Sequence, residues 1–347
     1  MANYGSVSSV DFPIPYKIIE EANNHLIEKP QEEHEALLAT LPLQPSGTPN
    51  FHPKQPFILY KGAWIAKSLV RGALAMEQHF KSRPTDLLLV TSPKSGTTWL
   101  KAMIFATLTR TSYPLDQHPL HTHNPHQCVT NLERVFSTGR RQIIEAIPSP
   151  RVFNSHLPYS VLPQTIIDSD CRIVYVWRDP KDVLISMWYF SGKIMGGADK
   201  IATFEEVYNS FCQGVNNYGP IWSHVLGYWE ESKQRPEKIL FLKYENILQE
   251  PVKHAKKLAH FIGCPYSEAE ENQGVVEQIV ELCSFGKLKN MDVNNNEIPS
   301  MSAHNISPSY FFRKGEAGDW KNHLTQEMTE RLNTIIEEKF KGSGLMI

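Results

Sequence analysis

Residues 87–103 read LLLVTSPKSGTTWLKAM, and this stretch decides the fold. Leu87 to Val90 form a short continuous apolar run, the pattern of a strand buried on both faces. Polar and small residues follow. Leu100, Met103, Ile104 and Leu108 then recur near the 3.6-residue period, which predicts a helix from Trp99 to Thr109. Such a strand–loop–helix unit aims successive backbone N–H groups and a helix N-terminus at one point, a site for an anion. Ser95, Gly96, Thr97 and Thr98 would supply those groups, with Gly96 allowing close backbone approach. The loop lacks the Gly-Lys-Ser/Thr ending of an ATP-binding P-loop, where the lysine directly follows the last glycine. Lys94 instead precedes Gly96 by two residues, at the opposite end of the loop. Taken alone, the segment leaves an ordinary strand-to-helix turn as the alternative.

The same alternation repeats outward. RIVYVW (172–177) and ILFLKY (239–244) read as buried strands, and VFNS (152–155) as a further one. Asp179-Pro180 is an N-cap with proline at the first helical position, opening a helix from Lys181 to Phe190. Pro251 opens another that ends near Gly263, and Thr203/Glu206 and Ser267/Glu270 have capping-box spacing. Met328, Leu332, Ile335, Ile336 and Phe340 form one apolar stripe near the end. Strand then helix, repeated, predicts an α/β fold: a central, mostly parallel sheet flanked by helices on both faces, with a P-loop-like strand–loop–helix. Residues 1–50, polar and proline-interrupted, read as a partly ordered arm with a short helix near Glu32 to Leu41; residues 51–347 read as a single domain. Residues 287–309 lack periodicity and are expected to be a functional lid or mobile segment.

Composition narrows the function classes. At 41% hydrophobic and 21% charged, the chain resembles an ordinary soluble enzyme. Its formal charge of −2, from 35 Lys+Arg against 37 Asp+Glu, provides no global basic field for nucleic acid. No apolar run reaches the roughly 18 residues of a membrane span. The start, MANYGSVSSVDFPIPYK, shows no basic stretch leading into an apolar core, so no secretory leader is expected. Five scattered cysteines, never spaced Cys-x-x-Cys, fit free thiols in a reducing compartment, with a cytoplasmic location expected.

Two further clusters complement the loop. In YVWRDPKDVLISMW, Arg178 stands at a strand's C-terminal end and Ser186 on the following helix. Ligands of open α/β sheets bind at those ends, and arginine's planar fork suits a phosphate. In FFRKGEAGDW, Arg313, Lys314 and Gly315 are adjacent. Three separate anion-binding elements imply a ligand with phosphates at two well-separated places.

SPKSGTTW, RDPKDVLISMWYF and RKGEAGDW together resemble the signature segments of the cytosolic sulfotransferases, in the family's order, and the resemblance runs from about Trp64 to Phe340. FSTGR, NQGVV and LCSFGKLKN are most similar to the plant soluble branch. The resemblance implies a co-substrate, 3′-phosphoadenosine 5′-phosphosulfate (PAPS), released as adenosine 3′,5′-bisphosphate, and no metal. It implies that Lys94, Ser95, Gly96, Thr97, Thr98 and Trp99 hold the phosphosulfate and lie near the adenine. Arg178, Ser186, Arg313, Lys314 and Gly315 would bind the 3′-phosphate. Tyr244 would contact the base, and Cys283, Ser284 and Phe285 would make further nucleotide contacts. His156, in the His-Leu-Pro segment, would be the general base, with Lys94 and Ser186 assisting.

The sequence also departs from the animal pattern. Asn154 stands where many animal members have a lysine assisting catalysis, and the C-terminal dimer motif is missing, Thr325 being followed by Gln326. A monomer or weak dimer is therefore expected. Phe190, with Trp64 and Tyr159 as neighbours, is expected to line a pocket for a small hydroxylated acceptor. HTHNPHQC (His121, His123, His126, Cys128) has spacing that suits metal ligands, but its prolines and asparagine favour a loop shaping acceptor entry. A magnesium-dependent kinase and a non-catalytic nucleotide-binding scaffold are the competing readings.

Overall fold

A computed structural model describes residues 12–28, 34–44, 56–295 and 306–346. Its centre is a sheet of five parallel strands in the order β4-β5-β3-β6-β7. These are β3 (Leu87–Thr91), β4 (Thr130–Asn131), β5 (Val152–Ser155), β6 (Arg172–Trp177) and β7 (Ile239–Lys243). A separate antiparallel pair, β1 (Phe57–Tyr60) and β2 (Ala63–Ala66), precedes them. Lys61 and Gly62 join that pair, both at positive φ, the backbone of a two-residue hairpin turn.

Why the strands are apolar on both sides follows from the pleat. Leu88 and Val90 of β3, with Phe153, Ile173, Tyr175 and Trp177, face one core. Leu87 and Leu89, with Val152, Val174, Val176, Leu240 and Leu242, face the other. Helices cover both faces, so neither set meets water. In register, Leu87 pairs with Val152 on one side and Arg172 on the other, making β3 the middle strand.

Several boundaries differ from the sequence reading. The helix after β3 spans Thr97–Thr109, two residues earlier than its apolar period indicates, because Gly96 caps it in the left-handed region. The helix after β6 continues from Pro180 to Met195 and stops at Gly196, also left-handed. β7 ends at Lys243, and Tyr244 opens the helix Tyr244–Gln249 instead of closing the strand. Both capping boxes form. The aperiodic segment begins as helix, Phe285–Asn290 and Asp292–Asn295, so it is not one long loop; residues 296–305 fall outside the described residues. Within 1–50, the expected helix forms over Glu35–Thr40, Glu32 being outside the described residues, and a second helix spans Tyr16–Ala22. Ile14, Tyr16, Ile19 and Leu38 are buried in the first core, so these parts pack into the body.

The sheet order places the chemistry. β4 and β5 lie to one side of β3, β6 and β7 to the other, so the connections diverge at β3 and leave a crevice at its C-terminal end. His156 directly follows β5, the 92–97 loop follows β3, Arg178 follows β6 and Tyr244 follows β7. Neighbouring strands therefore deliver these groups side by side.

Candidate active site

Two cavities open at this crevice. One, of about 310 Å³, is lined by the loop after β3 and by Arg178, Ser186, Tyr244, Cys283, Ser284, Phe285 and the 312–315 segment. The other, of about 350 Å³, is lined largely by apolar side chains, including Phe57, Leu69, Met187, Ile194 and Ile306. They share Pro93, Lys94, His126, His156, Phe190 and Phe311. An expected donor contact and the expected base thus stand at the junction.

The loop is shaped by its glycine on two counts. Gly96 has φ +102°, and a Cβ there would lie 2.7 Å from the Tyr244 ring. The loop can therefore rest on that ring, which also meets Trp99 edge-on. Ser95 is fully buried and its Oγ has no partner; the buried indole nitrogen of Trp99 and the Nε of Arg178 also have none. Unpaired buried donors are costly. Two of them, on Trp99 and Arg178, line the first cavity and fit an anionic, hydrogen-bonding ligand, whereas the Ser95 side chain does not line it.

Arg178 is held on several sides. Nη2 donates to the Glu316 carbonyl at 2.6 Å, Asp182 lies 3.4 Å away, and the guanidinium sits 4.7 Å over Tyr244. Asp182 in turn accepts from the backbone N–H groups of Gly318 and Trp320, tying the 313–320 segment to the helix after β6. Arg313 and Lys314 both pair with Asp319. Gly315, at φ +73°, leaves no room for a side chain beside the Phe285 ring.

Lys94 has no anionic partner among the described residues. Its Nζ lies 3.8 Å from the Phe190 ring centroid. Burial, followed by repulsion from Arg178, Arg313 and Lys193, lowers its pKa to about 7. An anion placed in the cavity would reverse that effect.

His156 is oriented by the backbone. Its Nδ1 lies 2.7 Å from the Thr91 carbonyl, which only accepts, so Nδ1 carries the proton and Nε2 presents a lone pair. Burial lowers its pKa to about 4, against a smaller raising effect from Glu133. The ring is therefore a free base at neutral pH. Behind it, His224 Nε2 donates to the His156 carbonyl at 2.9 Å, while Nδ1 of His224 accepts from the Tyr175 hydroxyl. Glu133 Oε1 accepts from the His156 backbone N–H at 2.9 Å, the Tyr218 hydroxyl and Asn131.

The acceptor-side expectations divide. Phe190 lines both cavities. Trp64 lines neither; it lies on β2, bridged to Gly219. Tyr159 also lines neither, because its hydroxyl is taken by Arg235 and its ring packs on Tyr228. The histidine-rich segment separates too: His121 Nε2 bonds the Leu115 carbonyl and His123 bonds Thr122, whereas His126 enters the site. Among the described residues, no three His, Cys, Asp or Glu gather as a metal site. Lys101 Nζ donates to His126 Nδ1 at 3.1 Å, so His126 Nε2–H faces Thr98 Oγ1 at 2.9 Å, and Phe311 stacks on the ring. Asn154, beneath the junction, accepts from Asn131. Sequence reasoning placed His126 only within the histidine-rich loop and did not name Phe311, Glu133 or Arg134; the aromatic pair before Arg313 was the one sequence mark near Phe311.

Comparison with known proteins bears directly on this geometry. The family model described as the sulfotransferase domain matches residues 84–344. The chain belongs to the sulfotransferase family. Cytosolic sulfotransferase 17 of Arabidopsis thaliana is 39% identical over 95% of this chain and 96% of its own. Flavonol 3-sulfotransferase of Flaveria bidentis is 42% identical over 85% of this chain and 95% of its own. Among solved structures, an Arabidopsis thaliana putative steroid sulphotransferase aligns with TM-score 0.71 and 32% identity, covering 92% of this chain and 99% of its own. A mouse sulfotransferase complexed with PAP aligns with TM-score 0.63 and 27% identity, covering 82% and 94%. Within the sulfotransferase frame, the protein is a plant-type enzyme of the cytosolic branch, and no helix among the described residues is long and apolar enough to cross a membrane.

Proposed function

We propose that this sulfotransferase moves the sulfonate group of PAPS to a hydroxyl, or hydroxyimino group, of a small hydrophobic acceptor, with His156 as general base. The observation that carries this reading is the meeting, at Lys94 and His156, of a cavity lined by Lys94, Arg178, Arg313 and Lys314 with a second, largely apolar cavity. The unpaired donors of Trp99 and Arg178 on the wall of the first cavity suit an adenosine bisphosphate framework. PAPS supplies the activated sulfonate: the acceptor oxygen bonds to sulfur as the bond from sulfur to the 5′-phosphate oxygen breaks. Nε2 of His156 accepts the hydroxyl proton, and Lys94 stabilises charge on the departing phosphate. Ser186, lining the nucleotide cavity, engages Lys94 or the phosphate, while Arg178, Arg313, Lys314 and Gly315 hold the 3′-phosphate. A flavonoid, steroid, hydroxyjasmonate or desulfoglucosinolate suits the second cavity, and action in the cytosol as a monomer or weak dimer is part of the same proposal.

The test is transfer of labelled sulfonate from PAPS, beside ATP with magnesium, to hydroxylated plant metabolites. His156→Ala should lower kcat by roughly 10²- to 10⁴-fold, the usual worth of a positioned base, while calorimetry shows retained affinity for adenosine 3′,5′-bisphosphate. Equal loss of binding and turnover would make His156 structural. Transfer from ATP alone would replace the reading with a kinase.

A further inference from the structure

The apolar cavity contains one charge that the reaction does not use. Arg134 lies on the helix Leu132–Ser137, just after β4, and borders the acceptor cavity close to Asn131, Asn217 and Tyr218. Among the described residues, none accepts a hydrogen bond from its guanidinium or lies in ion-pair range of it. Glu133, the nearest carboxylate in sequence, does not pair with it: Oε1 takes three donors from other residues, and Oε2 receives none. Arg134 also borders a small cavity of about 60 Å³ beneath the Tyr16–Ala22 helix, where the one acid, Glu20, is bound by Arg140 and Lys17. Its charge is felt on the other side: burial lowers its own pKa, while Tyr218 and Glu133 partly oppose that, and it lowers the pKa values of Lys101, His126 and His156. Arg134 lines the second cavity, which shares Lys94 and His156 with the first. A half-buried cation on a cavity wall with no ion-pair partner leaves its planar hydrogen-bonding fork available to a bound anion.

We infer that Arg134 is a specificity-determining residue and that the preferred acceptor carries an anionic group, a carboxylate or equivalent, apart from the hydroxyl that receives the sulfonate. The unpaired guanidinium on the wall of a largely apolar acceptor cavity is the juxtaposition that carries this. Asn217, partly buried on the same cavity wall, accepts from the Ala66 N–H through Oδ1 and presents its amide nitrogen to the same end of the acceptor. The inference rests on the proposed reaction, since it assigns this cavity to the acceptor.

Matched acceptor pairs test it with the full-length enzyme and PAPS: 3-(4-hydroxyphenyl)propanoate with its methyl ester, and 8-hydroxyoctanoate with its methyl ester. For the wild type, kcat/KM should favour each acid over its ester by about 10- to 100-fold, the range of a charge-assisted hydrogen bond. Arg134→Gln should collapse the ratio toward unity, and Arg134→Lys should restore part of it. Equal use of acid and ester by the wild type overturns the inference without any variant having to fold. An acid preference that survives in Arg134→Gln also overturns it. Failure of every hydroxylated acceptor with PAPS would instead sink the proposed reaction, a distinguishable result.

Discussion

At the residue scale, the site works through groups whose ordinary chemistry is altered by burial. Lys94 is the clearest case. Its free-enzyme pKa of about 7, set first by burial and then by Arg178, leaves most of it neutral at pH 8. A bound phosphosulfate or bisphosphate favours the charged ammonium and raises that pKa. Binding above pH 7 should therefore take up about one proton, and affinity should fall as pH rises from 7. Calorimetry of adenosine 3′,5′-bisphosphate binding at pH 8, in two buffers of different ionisation enthalpy, measures the uptake; Lys94→Met should abolish it. The identity of Lys94 as a site residue was legible in the sequence, because loop motifs are contiguous. Its missing counter-ion was not, since Arg178 and Arg313 approach it only across the sheet.

Strands and helices set the next scale, where one buried pair holds the sheet that carries the site. Asp86 precedes β3 and Arg151 precedes β5; Nε and Nη2 of Arg151 meet the two Asp86 oxygens at 2.8 and 2.7 Å, and both residues are almost fully buried. Leu87 N–H donates to the Arg151 carbonyl beside them. The pair thus fixes the β3–β5 register at the end of the strands opposite the site. Asp86→Asn leaves the buried guanidinium without its counter-charge and should cost about 3–5 kcal/mol of stability. Chemical denaturation measures this, and a loss under about 1 kcal/mol would mean that the register is held elsewhere. The strands themselves were readable from their apolar runs. β4 was not, because two residues carry no period, and neither was the β1–β2 hairpin, whose four-residue strands are joined by Lys61-Gly62, not an Asn-Gly or Asp-Gly pair.

For the whole molecule, the protonation of buried histidines decides its behaviour in acid. His118, His156 and His224 all have pKa values lowered to about 4, chiefly by burial. Unfolding returns each to about 6.5. Between these values the unfolded chain binds more protons than the folded one, so stability is complete above pH 6.5 and is lost as pH falls toward 4. Each histidine contributes a slope of up to about 1.4 kcal/mol per pH unit in that window. Melting temperature should therefore drop steeply below pH 6, and His118→Phe, remote from the cavities, should flatten the drop; an unchanged profile would remove His118 from the account. Much of the architecture was determined by sequence alone: alternating apolar runs and helical periods specify a parallel sheet, and contiguous motifs specify an anion loop, an arginine and a histidine at strand ends. Those signals are local, and backbone geometry converts them directly into structure. Tertiary structure alone decided that two cavities meet at Lys94 and His156, that Trp64 and Tyr159 stand outside them, and that Arg134 lines the second without an ion-pair partner among the described residues. Strand order and side-chain direction bring together residues distant in the chain, and no periodicity records which of them will touch.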